Sequence, residues 1–290
     1  MSGAATIRTV ATARCGTKVV LQVKETPVKS GSTSLTGGRS IAPEKSDVRV
    51  VIRINGKPVR IETRVSEGSA RLDELLPALR TVDDRLIDTV IASVKRRGGR
   101  ISCAKGCSTC CRTQPVPITP PETSALARLV ARLPEPRRTV VRSAFAAAAE
   151  RLRAADLYER YMRRDQGLTR EGARGLAGRY LALGITCPFL EHDACSIYAD
   201  RPFVCRQYFV TSPPDLCKAP LDNAVKPVAM PAAFATAVLE TTESVSGRPQ
   251  YTVPLVLALE YAAANDAELA RTCDARMAFE QVIRNLGRTH

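Results

Sequence analysis

Residues 102–112 read SCAKGCSTCCR, which puts Cys103, Cys107, Cys110 and Cys111 within nine positions of one another. A second set, Cys187, Cys195, Cys205 and Cys217, follows in CPFLEHDACSIYADRPFVCRQYFVTSPPDLC (187–217), so eight of the ten cysteines fall between 103 and 217. Thiolate is a soft ligand that selects Zn²⁺, iron in a cluster or Cu(I) over Mg²⁺ and Ca²⁺. Only two histidines exist, His192 and His290, so a closed metal site must be built almost wholly of sulfur.

Spacing narrows the choice. A zinc ribbon shows two C-x2-C knuckles, whereas the first set is C-x3-C-x2-C-C and the second is separated by seven, nine and eleven residues. Adjacent residues such as Cys110 and Cys111 normally point apart, so either they bind different metal atoms or one of them does not ligate. Either choice favours a polynuclear site or two neighbouring sites over one mononuclear zinc. If the segment is helical, 103, 107, 110 and 111 share one face. The spacing Cys103-x3-Cys107-x2-Cys110 also equals the radical SAM motif, but the residues after Cys111 lack the strand–helix alternation of a partial barrel.

Outward from the thiols, the pattern is mostly helical. Thr81 with Asp84 reads as a capping box for a helix through Val82, Leu86, Val90 and Val94, stopped by Gly98-Gly99. Thr119-Pro120-Pro121-Glu122 reads as N-cap, N1, N2 and N3 of the next helix. Further helices are expected over about 137–162, 170–183 with Gly184 as stop, 231–245, 254–265 and 266–286. The N-terminal part differs. Residues 26–46 are rich in Gly, Ser, Thr and Pro and read as a loop after a short strand at 18–23. VRVVIRI-NG-KPVRIETRV (48–65) then reads as a hairpin, because Asn55-Gly56 suits a two-residue type I′ turn. That turn pairs Ile52 with Val59, Val50 with Ile61 and Val48 with Thr63, leaves Arg49, Arg53, Arg60 and Glu62 on the other face, and puts Pro58 on an edge strand.

The start of the chain lacks the pattern of a signal peptide, and the most apolar late run, VPLVLALEYAAA, is short and carries Glu260, so the expected setting is the cytoplasm, with no membrane partner. A reducing cytosol turns ten cysteines toward metal binding rather than disulfides. The 43 Lys and Arg against 29 Asp and Glu give a formal charge of +14, which permits a nucleic-acid partner without demanding one. Arginines are spread among acids and alanines, with short clusters at 95–97, 137–138 and 163–164, the pattern of a solvated surface.

CAKGCSTCCR, followed in order by CPFL, CSIYADRP, CRQY and TSPPDLC, resembles the CxxCxxCC zinc- or iron-chelating domain family, also called YkgJ-like proteins. The resemblance covers roughly 100 to 220 and leaves the hairpin outside. It implies metal chelation by Cys103, Cys107, Cys110, Cys111, Cys187, Cys195 and Cys205, with Cys217 as an eighth. Relatives that methylate flagellin lysines are similar only around the thiols. Outside the clusters, Cys15 and Cys273 read as ordinary small thiols, and His192, between Glu191 and Asp193, as an exposed turn residue. Arg201 and Arg206 are either hydrogen-bond donors to thiolates or partners of Asp193 or Asp200. Tyr180, Phe189, Tyr198, Phe203, Tyr208 and Phe209 crowd one stretch and suggest an apolar shell around the site.

The fold expected is mainly α (α+β): an N-terminal arm with a hairpin over 1–67, then an irregular helical cysteine-cluster domain over 68–290. The function expected is thiolate binding of iron, as an iron–sulfur cluster, or of zinc, with a redox or electron-transfer role and a protein redox partner. The alternatives are a zinc-stabilised binding module without catalysis and a cluster-dependent methyltransferase. No Ser-His-Asp set, P-loop or G-x-G-x-x-G supplies a second active-site signal.

Overall fold

The computed structural model describes residues 9–12, 18–21, 24–25, 44–54, 56–104, 106–163 and 169–287. Cys15, Asn55, Arg164, His290 and most of the expected 26–46 loop lie outside them. The described chain is mainly α with some β. It forms two compact units that interleave along the sequence: Met1–Asp88 with Pro231–Arg248 and Ala270–His290, and Thr89–Met230 with Pro249–Leu269.

In the first unit the hairpin has the register expected from its turn. Strands Lys45–Ile54 and Lys57–Ser66 pair antiparallel, with Ile52 opposite Val59, Val50 opposite Ile61 and Val48 opposite Thr63. Ile54 pairs with Lys57, so two residues close the turn, and Gly56 takes φ 76°, where a side chain would be strained. Alternation buries Val48, Val50, Ile52, Ile61 and Val65, while Arg49 and Glu62 face each other on the exposed side, Nη2 to Oε1 2.7 Å. Strand Lys24–Glu25 pairs with Lys45–Ile54, which leaves the Pro58-bearing strand at an edge. Helices Phe234–Ser246 and Ala275–Leu286 pack together and bury Phe234, Val238, Phe279, Val282 and Ile283. Buried Asn285 joins them by donating from Nδ2 to Thr241 Oγ1 at 3.1 Å.

Several helix boundaries differ from those expected; the 254–265 helix, for one, begins at Ala258 after strand Val253–Pro254 and the 3₁₀ turn Leu255–Leu257. The helix ending at Arg96 begins at Leu72, nine residues before Thr81, whose hydroxyl instead donates to the Pro77 carbonyl at 3.1 Å. Burial of Leu75, Leu76 and Leu79 extends the apolar face backward and overrides the missing amide of Pro77. The expected 137–162 helix ends at Ala154 and resumes as Tyr158–Arg163. Leu157 N–H returns to the Leu152 carbonyl (2.9 Å) and Asp156 N–H to that of Arg153 (3.0 Å), a Schellman closure with Asp156 at φ 53°. The expected 266–286 helix is split, because Thr272–Asp274 forms a strand antiparallel to Ser69–Arg71 before helix Ala275–Leu286 begins.

The second unit is built on helices Pro120–Ala131, Arg137–Ala154, Arg170–Leu183 and Ala258–Ala264. One core cluster joins Ile118, Leu126, Val130, Val141, Phe145, Phe189 and Tyr261, with Cys187 and Cys195 packed against it. Phe145 and Phe189 meet edge to face at 5.4 Å. Cys187 and Cys195 are therefore backed by an apolar core. Among the described residues no helix is long and apolar enough to cross a membrane.

Candidate metal centre

All cysteines of the two clusters lie in the second unit, as free thiols. Cys103 follows Ser102, whose N–H donates to the Val210 carbonyl at 2.9 Å; Val210 N–H in turn donates to Cys103 Sγ at 3.4 Å. The chain then turns through Gly106 at φ 90° to Cys107, and Cys110 and Cys111 ride on the short helix Thr109–Thr113. That helix packs against the 3₁₀ turn Pro214–Lys218, which carries Cys217.

The second set is placed by a miniature hairpin and a helix. Cys187 N–H donates to the Cys111 carbonyl at 2.6 Å, joining the two sets directly. Strands Leu190–Glu191 and Ala194–Cys195 pair across His192 (φ 47°) and Asp193 (φ 58°), the two left-handed residues of a type I′ turn. His192 is thus the exposed turn residue expected, and it does not line the thiol cavity described below. Asp193 ties the turn to the Cys110 helix: its Oδ1 accepts from Ser108 Oγ (2.9 Å) and from Arg112 Nη2. The Arg112 guanidinium and the Ser108 hydroxyl hold the Asp193 carboxyl below its usual range.

Cys205 sits on helix Phe203–Gln207, whose first N–H, that of Phe203, donates to Glu122 Oε1 at 2.7 Å. Glu122 is 1% exposed, and its other oxygen accepts from Thr119 N–H and Thr119 Oγ1, each at 2.8 Å. The sequence marked Glu122 as a capping residue. Its second role, fixing the helix of Cys205, depends on a contact 81 residues away and left no local signal.

Cys103, Cys107, Cys110, Cys111, Cys187, Cys195 and Cys205 line one cavity of about 1020 Å³, together with Phe189, Tyr180, Val256 and other largely apolar side chains. Cys217 is buried beside this cavity, 5% exposed, and does not line it. Arg201 lines the cavity, stacks on Tyr198 at 3.7 Å, and eases the ionisation of both Cys103 and Cys195. Arg206 is buried and donates to the Ala199 carbonyl at 3.0 Å. Arg201 carries a charge felt by Cys103 and Cys195, and the partner of Asp193 is Arg112. Cys273, on the strand paired with Ser69–Arg71, belongs to the first unit.

Burial and crowding favour the neutral form of Cys103, Cys110, Cys187, Cys195, Cys205 and Cys217. A hydrogen bond with Cys111, then burial, pushes Cys110 far up; burial pushes Cys187 up to about 12 and raises Cys205 well above its ordinary value. Cys103, Cys195 and Cys217 are raised by burial as well. Clustered anionic sulfur in an apolar cavity needs a compensating cation, and a bound metal reverses the local pKa order.

Residues 102–223 match the CxxCxxCC family model. The description of that family is "Putative zinc- or iron-chelating domain", and the matched span contains all eight clustered cysteines. No curated protein and no solved structure matches the chain. The donor chemistry of the CxxCxxCC segment suits zinc or iron. Among the described residues, no three His, Cys, Asp or Glu side chains are arranged to hold one ion. The backbone gathers seven of the thiols around one cavity.

Proposed function

We propose that the CxxCxxCC segment is a thiolate metal centre whose resident metal is iron in an iron–sulfur centre, serving electron transfer or redox catalysis in a reducing compartment. The observation that carries this reading is the convergence of seven cysteines on one apolar cavity. Iron–sulfur centres are held by thiolates, and their potentials depend on hydrogen bonds to sulfur and on exclusion of water. Here the Val210 N–H donates to Cys103 Sγ, backbone groups of Phe189 and Ile197 hydrogen-bond Cys187 and Cys195, and Phe189 and Tyr180 shield the space. When bound, the metal supplies one-electron chemistry. The chain gathers the thiols, places Arg201 where it offsets thiolate charge, and excludes water on the side of the Phe145–Phe189 core.

A second reading, a zinc-stabilised module, is favoured by the short elements between 185 and 230, which a structural metal would hold. Metal and sulfide content after strictly anaerobic purification, with an optical spectrum of the same sample, separates the two. Iron, acid-labile sulfide and a visible absorption bleached by dithionite are expected. Zinc in a colourless protein transfers the assignment to the second reading, and a metal-free protein that takes up neither metal refutes both.

A further inference from the structure

The cavity that gathers the thiols is larger than a metal centre alone requires. Thiolates close on a metal at bonds of about 2.3 Å, whereas spaces of about 300–1,000 Å³ enclose whole small-molecule ligands. At about 1020 Å³, this one has room for such a molecule even with a metal centre in it. Two further kinds of wall surround that room. Tyr180, Ile185, Phe189, Leu255 and Val256 line it and are buried, an apolar surface that thiolate ligation does not use. Lys95, Arg100 and Tyr198 line it and are exposed, so they mark where it opens to solvent.

The charges left over at the opening are positive. Asp193 is the one acid among the described lining residues, and Ser108 and Arg112 already hold it. Arg201 is stacked on Tyr198. The Lys95 and Arg100 side chains make no hydrogen bond or ion pair among the described residues. Away from solvent, Gln114 Nε2 is buried without a hydrogen-bond partner, with Tyr208 also in the cavity wall. A buried donor without an acceptor is costly, and an acceptor on a ligand relieves it. We propose that the cavity admits, beside the metal centre, a small organic anion with an apolar body, its charged head drawn to Lys95 and Arg100 and its body laid against Tyr180, Phe189 and Val256. This rests on the reading of the cavity as a metal centre and adds the class of molecule on which that centre acts. Tyr198, 61% exposed, is apolar surface at the opening that such a body covers. Cationic side chains at the entrance also raise the local concentration of an anion and speed its arrival.

The test uses the full chain, purified anaerobically, with metal content measured on the same sample. It is titrated with anilinonaphthalene sulfonate, a fluorescent aromatic anion, and with phenylnaphthylamine, which has the same rings and no charge. The anion is expected to bind at least tenfold more tightly than the neutral probe, because charge-assisted contacts at the opening favour it. Lys95→Gln/Arg100→Gln should remove that preference by weakening the anion alone, while Arg53→Gln/Lys57→Gln, on the exposed turn of the hairpin, should keep it. Equal affinity for the two probes, or a preference that survives in the Lys95/Arg100 variant, overturns the proposal. Both altered residues are exposed, and the neutral probe, bound equally by variant and wild type, shows that the apolar wall is intact. Displacement of the fluorescent anion by benzoate or by phenyl phosphate tells a carboxylate head from a phosphate head, and displacement by neither refutes the site. A chain that holds metal but does not prefer the anion refutes this proposal and leaves the metal centre standing. A metal-free chain that still prefers it keeps the anion site and sinks the metal reading.

Discussion

Replacing Glu122 by alanine removes a group that serves two elements at once. Its carboxylate, 1% exposed, caps the Pro120–Ala131 helix through Thr119 and accepts the leading N–H of the Cys205 helix through Phe203. Loss of an N-terminal cap costs about 0.5–2 kcal/mol. A buried donor left without an acceptor costs about 1–3 kcal/mol, and the Phe203 N–H becomes one. Relief of the carboxylate's own desolvation offsets part of this, so a destabilisation of about 3 kcal/mol is expected for Glu122→Ala. Glu122→Gln should cost less, because an amide oxygen still accepts while its NH₂ faces former donors. Equilibrium urea unfolding followed by far-ultraviolet circular dichroism gives the stability term. Peptide-resolved alkylation gives the local one, with Cys205 labelled faster in the variant than Cys217, which lies on a different element. A Glu122→Ala chain within about 0.5 kcal/mol of wild type, the ordinary scatter of surface substitutions, would show that the carboxylate does not join the two helices.

Two further outcomes follow from backbone and burial. Gly106 stands at φ 90° with open space where a side chain would begin, so Gly106→Ala should lower stability through the backbone alone, by about 1–2 kcal/mol, and speed alkylation of Cys107; an unchanged melting temperature speaks against it. Burial raises the Tyr161 phenol to about 12, so the folded chain keeps this proton more tightly than the unfolded chain does. Its contribution is therefore whole below pH 10 and lost as pH rises toward 12, and Tyr161→Phe should flatten that fall in a pH series of denaturation midpoints, with an identical slope counting against the reasoning.

Where the responsible signal was local, the sequence was enough. The Asn-Gly pair and strict alternation set the hairpin register residue by residue, because a turn type and a period of two leave one solution that buries Val48, Val50 and Ile52 together. Thr119 and Glu122, and Gly184 after Leu183, marked helix ends for the same reason, since capping is satisfied within four residues. The count and softness of the cysteines named the ligand class, and their order matched a family. What lay beyond local reach needed the tertiary structure. Strand Thr272–Asp274 exists because Ser69–Arg71 offers it a partner some 200 residues away in the chain, and nothing in its three residues announces that pairing. The place of the C-terminal helices in the hairpin's unit rests likewise on burial against elements distant in sequence. So does the site: spacing showed that Cys110 and Cys111 were adjacent, but only the folded backbone brought Val210 to Cys103, Cys187 to Cys111 and seven of the thiols to one cavity. Ligand identity is a property of the side chain and is legible in one dimension; ligand grouping is a property of distances between chain segments, and those exist only once the backbone has folded.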